Sequence, residues 1–335
     1  MAKNVYSLSI SAQATLDMHS LNNEGGEGNQ ITTRMVNIVG EDGRLHNVNA
    51  ISGDMIKHIQ AEHLFRLLAG REDVPLCAGC RQFNANRISA DPDFRRKATA
   101  KEGKNWMMTD AAAIEEMIVR CALDDLAGNL FTEAGRSIPR KSVTEFSWAV
   151  GLPERTATDS YFHVKYATER AGAVVEEELE EQRKANLKQA IFHRPASSGV
   201  YAIVTNFEMA RIGFNDITQT YAVDQGQRTA RYKALLESVL YTFIEPNGAM
   251  RGTQNPHIVD FQGVVAVSGD VVPAPTMSPI NSGYREQLQR IREALEKVRP
   301  SAVTLWEFDS LARFSEVMTD LVETTEPYVF SYQEA

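Results

Sequence analysis

The sequence has few cysteines, no long apolar run and no excess of positive charge, and each shortage narrows the class of protein. Its 335 residues include three cysteines, an odd number that argues against a disulfide-stapled secreted fold. The apolar runs fall short of the roughly 18 residues that a membrane-spanning helix needs. The first residues, MAKNVYSLSISAQATLD, also lack the apolar core of a signal peptide. We therefore expect a cytoplasmic protein that makes no membrane contact.

Positive charge is scarce overall but unevenly distributed. The formal net charge of −9 disfavours a generic nucleic-acid binder, because phosphate binding needs lysine and arginine. However, the segment Arg81–Lys104 carries seven lysines and arginines against three acidic residues, whereas five glutamates crowd residues 176–181. Since local patches decide binding, a nucleic-acid partner stays open.

Common catalytic signatures are missing as well. The sequence contains no HExxH, GxSxG, P-loop or EF-hand pattern. Their absence argues against the common hydrolases and nucleotidases.

Apolar periodicity predicts an α+β fold. Residues 6–16 alternate between an apolar face and a small, hydroxyl-rich face, which indicates a strand. The later predictions are helices at about 56–68, 110–130, 226–245, 284–298 and 310–322, and strands at 143–153, 198–214, 257–268 and 303–308. Residues 71–110 lose the pattern and indicate an excursion from the core, and residues 174–189 form a charged stretch, helical or mobile. The order strand–helix–strand–strand–helix–strand is typical of the ferredoxin-like fold.

The start of the first helix, in AISGDMIKHIQAEHL (residues 50–64), is a candidate phosphate site. Ser52 is a favourable N-cap, and Gly53 lets another backbone or a ligand approach closely. Helix N-termini attract phosphate, Lys57 would add positive charge, and Asp54 would oppose binding. A well-capped helix with an exposed salt ladder after His58 explains the same residues without any ligand.

Two further groups of residues suggest an anionic partner. Arg228 and Arg231 open the second long helix, where cations are mildly unfavourable, so either an anionic ligand or the glutamate-rich segment could pair with them. In the polar loop Asn247–His257, Met250 beside Arg251 could wedge between bases, although a core-facing methionine is the commoner case.

The three cysteines leave a metal site open. Cys77 and Cys80 form a CxxC pair, and a structural zinc ion would need two more ligands. Cys121 and a histidine such as His63 would have to supply them. Reduced, unligated thiols explain the pair more simply, so we expect no cofactor.

Taken in order, several motifs resemble one family. They are SLSISAQATLDMHSLNNEGGEGN with TRMVNIV, then AISGDMIKHIQAEHL, LCAGCRQFNANRI, SGVYAIV, RIGFND, RTARYKALLESVL and PNGAMRGTQNPHIVDFQGVVAVS. Over about residues 4–270 the chain resembles the DevR-type CRISPR-associated autoregulator family of the Cas-seven superfamily. Its members are the repeated backbone subunit of type I Cascade surveillance complexes.

The resemblance implies a modified RRM/ferredoxin-like palm with inserted finger and thumb segments. We expect one elaborated domain over 1–335, with a palm from about 1–70, 141–153 and 198–270. The finger-like insertion is about 71–140, the charged insertion about 154–197, and C-terminal helical and strand elements occupy 280–335. Basic residues of the finger could touch DNA or a neighbouring protein.

The resemblance also implies partners and contacts. Several copies stack along one CRISPR guide RNA, beside other Cascade subunits, and leave guide segments free to pair with target DNA. The helix after AISGD is where the family contacts guide phosphates. The candidate RNA-binding residues are Arg34, Ser52, Gly53, Lys57, His58, Arg228, Arg231, Met250, Arg251, Asn255 and His257. Because the first strand offers Ser and Thr rather than stacking aromatics, clamping of the RNA backbone fits better than base readout.

Three functions remain to be compared. The first is a non-catalytic guide-RNA scaffold. The second is a metal-dependent ribonuclease like the backbone subunits of type III complexes, with Asp17 or Asp54 as the loop aspartate. The third is a DNA-binding transcriptional autoregulator, which neither a helix-turn-helix pattern nor the net charge supports.

Overall fold

A computed structural model describes residues 4–27, 30–164 and 191–331. The glutamate-rich residues 176–181, and with them the expected charged stretch at 174–189, lie outside the described residues. None of the described helices combines the length and the apolar character needed to cross a membrane.

The helices and strands are numbered in chain order. The helices are α1 Gly53–Leu68, α2 Ala78–Arg81, α3 Pro92–Ala98, α4 Asp110–Arg120, α5 Ala122–Ala127, α6 Gln225–Ile244, α7 Tyr284–Val298 and α8 Leu311–Thr324, with 3₁₀ turns at Arg87–Ala90 and Met209–Arg211. The strands are β1 Asn4–Val5, β2 Ser7–His19, β3 Asn23–Glu27, β4 Gln30–Thr33, β5 Met35–Val39, β6 Leu45–Ile51, β7 Lys101–Glu102, β8 Asn105–Trp106, β9 Asn129–Glu133, β10 Arg136–Arg140, β11 Thr144–Phe146, β12 Ala149–Val164, β13 Ile191–Phe207, β14 Phe214–Asn215, β15 Thr220–Tyr221, β16 His257–Ser268, β17 Val303–Phe308 and β18 Glu326–Pro327.

The central sheet has the ferredoxin-like strand order. Its strands run β17-β16-β2-β13-β12-β6-β5. The inner four, β16, β2, β13 and β12, are antiparallel to their neighbours. Helix α1 lies between β2 and β12 in the chain, and α6 lies between β13 and β16. The predicted α+β fold with this connectivity is therefore confirmed.

Helix α1 forms where the apolar spacing predicted it. Ile56, Ile59, Leu64 and Leu68 are buried, so one stripe of the helix packs on the sheet. The chain leaves the helix at Gly70, whose φ of 86° is easily adopted only by glycine.

Helices cover one face of the sheet. The main core joins β2 side chains such as Leu8 and Ile10 to Leu64 of α1, Leu235 of α6 and Phe314 of α8. On the opposite face, α7 packs through Tyr284 and Leu288 against Val264 of β16. The result is a three-layer arrangement with the sheet in the middle.

The hydroxyl-rich face of β2 is covered by a segment of residues 270–283, which we call the strap. The Ser9 hydroxyl donates to the Pro275 carbonyl at 2.7 Å, and the Ser11 hydroxyl accepts from the Met277 N–H at 3.2 Å. The Ser7 hydroxyl likewise accepts from the Ala274 N–H, and the Gln13 side-chain amide donates to the Pro279 carbonyl. The strap backbone therefore explains why this strand alternates with small polar side chains.

The segment expected to leave the core contributes to it instead. Leu76, Ile88 and Phe94 are buried in the same continuous cluster as the palm residues. The single helix expected over 110–130 is interrupted at Cys121, where α4 ends and α5 begins. Scattered apolar residues in short helices carry no periodic signal, which is why the sequence pattern did not reveal this packing.

Candidate nucleic-acid interface

Ser52 caps α1, as its residue type predicted. Its side-chain oxygen accepts a hydrogen bond from the Met55 N–H at 3.1 Å. Its own N–H donates to the side-chain oxygen of Asn22 at 2.7 Å, so the helix start is attached to the short connection between β2 and β3. Asp54, the residue that would oppose a phosphate here, is exposed.

Gly53 has a packing role that the sequence did not indicate. A Cβ atom at this position would lie 2.4 Å from the Phe146 carbonyl oxygen and 3.3 Å from that of Ser147. The close approach of α1 to the segment before β12 thus requires glycine. This contact accounts for the residue on its own, so Gly53 adds no separate support for a phosphate site.

Lys57 lies one turn into α1 and is half-buried. Its Nζ donates to the Ser142 hydroxyl at 2.9 Å. Burial lowers the pKa of Lys57 from its ordinary value, with the positive charge of Arg87 as the next cause. His58 is exposed, and its ring lies 5.6 Å from that of Phe83. The ammonium group is thus held beside the helix start by a neutral partner and keeps two donors for a further acceptor.

Arg34 forms an aromatic–cation pair near the same helix start. Its guanidinium lies 5.2 Å from the centre of the Trp148 ring. Trp148 is 39% exposed and follows Ser147, which borders Gly53. Exposed aromatic and guanidinium planes are surfaces on which bases stack. Sequence reasoning missed Trp148, because a single tryptophan between two strands has no periodic signature.

The loop 247–257 lies next to the start of α1, although about 190 residues separate them in the chain. The Ala249 N–H donates to the Leu21 carbonyl at 3.1 Å, and Asn22, the next residue, accepts from Ser52. The connection between β2 and β3 therefore joins the start of α1 and the loop 247–257, two segments that the sequence indicated independently. We call the combined region the end surface, and its members are Arg34, Ser52, Lys57, His58, Trp148, Met250, Arg251, Asn255 and His257.

Within this loop the side chains differ in their availability. Asn255 and His257 are exposed. Arg251 is half-buried and forms an ion pair with Glu245. Met250 is also half-buried, at a backbone φ of 55°, and is not the freely exposed wedge that was considered.

Arg228 and Arg231 leave the set of candidate RNA contacts. They are 1% and 0% exposed. Arg231 pairs with Asp125 at 2.8 Å, and Arg228 donates to the Ile212 carbonyl at 2.9 Å and lies over the Tyr221 ring. These internal partners, which are distant in sequence, explain why the start of α6 tolerates two cations.

Neither aspartate considered for ribonuclease chemistry belongs to a larger group of possible metal ligands among the described residues. Asp17 sits near the end of β2 opposite His257, and Asp54 is exposed on α1. In the described ranges, one group of three or more histidine, cysteine or acidic ligands was found, and it contains neither aspartate. That group contains Cys77, Cys80 and Cys121, but not His63, whose Nε2 lies 2.9 Å from the Glu245 carbonyl.

Basic residues of the finger-like insertion are mostly paired on its surface. Arg95 contacts Glu133 at 2.8 Å, and Lys97 contacts Glu116 at the same distance. Exposed ion pairs of this kind are weak, on the order of 0–1 kcal/mol, so they can exchange for another anion.

The chain was compared with known proteins. The family model described as CRISPR-associated negative auto-regulator DevR/Csa2 matches residues 10–289. A curated relative from Methanocaldococcus jannaschii, described as CRISPR-associated protein Cas7/Cst2/DevR, is 23% identical over 332 residues, covering 94% of this chain and 97% of the relative.

Two solved chains show a weaker likeness. One comes from a CRISPR RNA-guided surveillance complex, with 12% identity, a TM-score of 0.46 and coverage of 95% of this chain and 98% of that chain. The other comes from such a complex before nicking, with 13% identity, a TM-score of 0.45 and coverage of 97% and 96%.

Proposed function

This chain belongs to the CRISPR-associated DevR/Csa2 family, and we propose on that basis that it is a non-catalytic backbone subunit of a type I Cascade complex. Copies of the chain polymerise along one CRISPR guide RNA together with other Cascade subunits. They present the guide for pairing with target DNA in antiviral defence in the cytoplasm.

The end surface is the observation that carries the proposal. Two segments that the family resemblance assigns to RNA, the start of α1 and the loop 247–257, meet across Leu21 and Asn22. They supply cations, exposed polar side chains and a helix N-terminus, which are the groups that bind phosphates. An anionic backbone lying along this surface would contact both segments at once.

The covered sheet face supports backbone clamping over base readout. RNA-recognition sheets that act alone stack bases on exposed aromatic residues. Here the corresponding face of β2 lies under the strap, with Ser9 and Ser11 both 1% exposed. Contacts from the edge and end of the sheet are what a subunit needs when guide pairing, not the protein, supplies sequence specificity.

A charge-removal experiment tests the end surface. Lys57→Ala in the full-length chain, assembled on a guide RNA, should weaken RNA retention and reduce the slope of log affinity against log salt. One lost phosphate contact on single-stranded RNA corresponds to a slope change of roughly 0.7. Filter binding over a salt series measures both quantities.

Two control variants isolate the charge. Ser142→Ala removes the hydrogen-bond partner of Lys57 but keeps the cation, and Arg290→Ala removes a side chain that is 72% exposed on α7, at the other face of the sheet. Both should bind RNA with the wild-type salt slope. An unchanged slope for Lys57→Ala, with the chain folded, would remove Lys57 from the interface.

The family description also names negative autoregulation, which provides a second candidate function. A regulator that acts by itself would bind its own promoter DNA without RNA. Gel-shift assays of RNA-free protein with promoter and scrambled duplexes separate the two functions. We expect weak binding without sequence preference, and specific promoter binding would favour the regulator.

A further inference from the structure

All three cysteines of the chain meet at one buried point, together with one carboxylate. Cys77, Cys80, Cys121 and Asp124 are buried, and one ligand atom from each lies within 4.8 Å of the others. The Asp124 Oδ2 lies 3.5 Å from the Cys77 sulfur and 3.3 Å from the Cys80 sulfur. The sequence pattern had suggested His63 as a fourth ligand, and the structure places Asp124 there.

The CxxC turn has the geometry of a metal-binding knuckle. Cys77 is the N-cap of α2, and its sulfur accepts a hydrogen bond from the Cys80 N–H at 3.3 Å. A Cβ at Gly79 would lie 2.0 Å from the Arg87 carbonyl oxygen, so the turn between the two cysteines is tightly packed. Both sulfurs are thereby directed to the same side, which is how two thiolates share one ion.

The carboxylate is oriented for the same centre. The Asp124 Oδ1 accepts from the Asn129 side-chain N–H at 2.7 Å and lies 3.4 Å from the Ile88 N–H. The other oxygen, Oδ2, faces the thiols. Fixed partners behind a ligand are typical of metal sites, because they hold the ligand in the orientation that the ion requires.

We propose that Cys77, Cys80, Cys121 and Asp124 bind one structural zinc ion. Three thiolates and one carboxylate form a complete tetrahedral set, as structural zinc sites require. With zinc–sulfur bonds of about 2.3 Å, the sulfurs would lie about 3.8 Å apart, so the present arrangement needs to contract by only about 1 Å. The four protein ligands leave no open coordination position, so the ion has a structural role.

The ion links two parts of the chain. It joins the α2 turn to Cys121, between α4 and α5, and to Asp124 of α5, which precedes Asp125. Asp125 pairs with Arg140 of β10 and with Arg231 of α6. Zinc therefore fastens the finger-like insertion next to the ion pairs that hold it on the palm.

Metal analysis of the full-length chain, purified without metal-affinity resin, tests the site directly. Mass spectrometry of the metal content should give about one zinc ion per chain, and X-ray absorption should show a shell dominated by sulfur. Cys121→Ser and Asp124→Asn should lose most of this zinc. Asp309→Asn, an exposed aspartate, should retain it.

A second set of measurements uses the wild-type chain, so it tests the site even if the variants do not fold. Chelation of the wild-type chain should lower its thermal midpoint by several degrees, and zinc but not magnesium should restore it. Cobalt added to the stripped chain should give the absorption bands of tetrahedral thiolate coordination. A chain that lacks zinc, ignores the chelator and shows no such bands would overturn the proposal and leave hydrogen-bonded thiols around Asp124.

Discussion

At the scale of single residues, a packing role of Gly53 can be distinguished from a role in ligand binding. Its missing Cβ lets the Phe146 carbonyl approach α1, as a Cβ would lie 2.4 Å from that oxygen. Gly53→Ala should therefore destabilise the chain by about 1–3 kcal/mol, the usual cost of forced overpacking. Urea unfolding of the RNA-free protein measures this.

Gly252 provides the matched control for Gly53. It lies in the loop of the end surface, and a Cβ there would meet no atom within 4 Å. Gly252→Ala should leave the unfolding free energy nearly unchanged. If Gly53→Ala were equally neutral in stability yet lost RNA, the glycine would serve the ligand and not the fold.

The buried side chain of His19 should make the free energy of unfolding sensitive to acid. It is 2% exposed, and burial lowers its pKa from 6.5 to about 4. Between these pH values the unfolded chain binds a proton that the folded chain does not, so stability should fall as pH drops through this window. The full loss would be about 3 kcal/mol, since one pKa unit corresponds to about 1.4 kcal/mol.

His19→Gln removes the titrating ring and tests this contribution. Unfolding curves from pH 7 to pH 4 should show a smaller loss of stability for the variant than for the wild type. Parallel pH profiles for the two proteins would mean that His19 does not control acid stability.

At the scale of secondary-structure elements, α6 is held by a buried ion pair. Arg231 and Asp125 are both fully buried, and Asp125 also pairs with Arg140, so removing Arg231 leaves this core carboxylate with one of its two cationic partners. Arg231→Met should cost about 1.5–3 kcal/mol, the usual cost of losing a hydrogen bond to a charged group, whereas Arg290→Met on the exposed face of α7 should cost little. Thermal unfolding compares the two, and equal midpoints would contradict this role for Arg231.

Elements with strong periodicity were predictable from the sequence. The alternating residues of β2, the stripe of α1 and the bounds of α7, β16 and β17 follow from local pattern alone. The strap was not predictable, because its prolines and turns carry no period. The sequence showed only the small, hydroxyl-rich face of β2, and not the strap backbone with which these hydroxyls exchange hydrogen bonds.

The candidate site was predictable only in part, for a related reason. A cap and a lysine near a helix start are local signals, and so is a CxxC pair. Asp124 as the companion of the cysteines, and Asp125 as the partner of Arg231, depend on contacts between distant segments. The α6 arginines are buried and have internal partners, Asp125 for Arg231 and the Ile212 carbonyl for Arg228, in place of an external anion.

At the scale of the whole molecule, an acidic chain is proposed to coat an anionic guide. A net charge of −9 disfavours nonspecific binding to nucleic acid, so affinity must come from the local cations of the end surface and from contacts between copies. Assembly on RNA should therefore be cooperative and strongly weakened by salt, with little preference for sequence.

Identification of the nucleic acid that co-purifies with the native complex tests the central claim most directly. The complex is isolated from its own host, treated with nuclease, and the protected strands are sequenced together with identification of the partner proteins. We expect CRISPR-derived guide RNA, protected along its length by several copies of this chain and accompanied by other Cascade subunits. A preparation that holds no RNA and binds none at low salt, or that holds only promoter DNA, would contradict the proposed function.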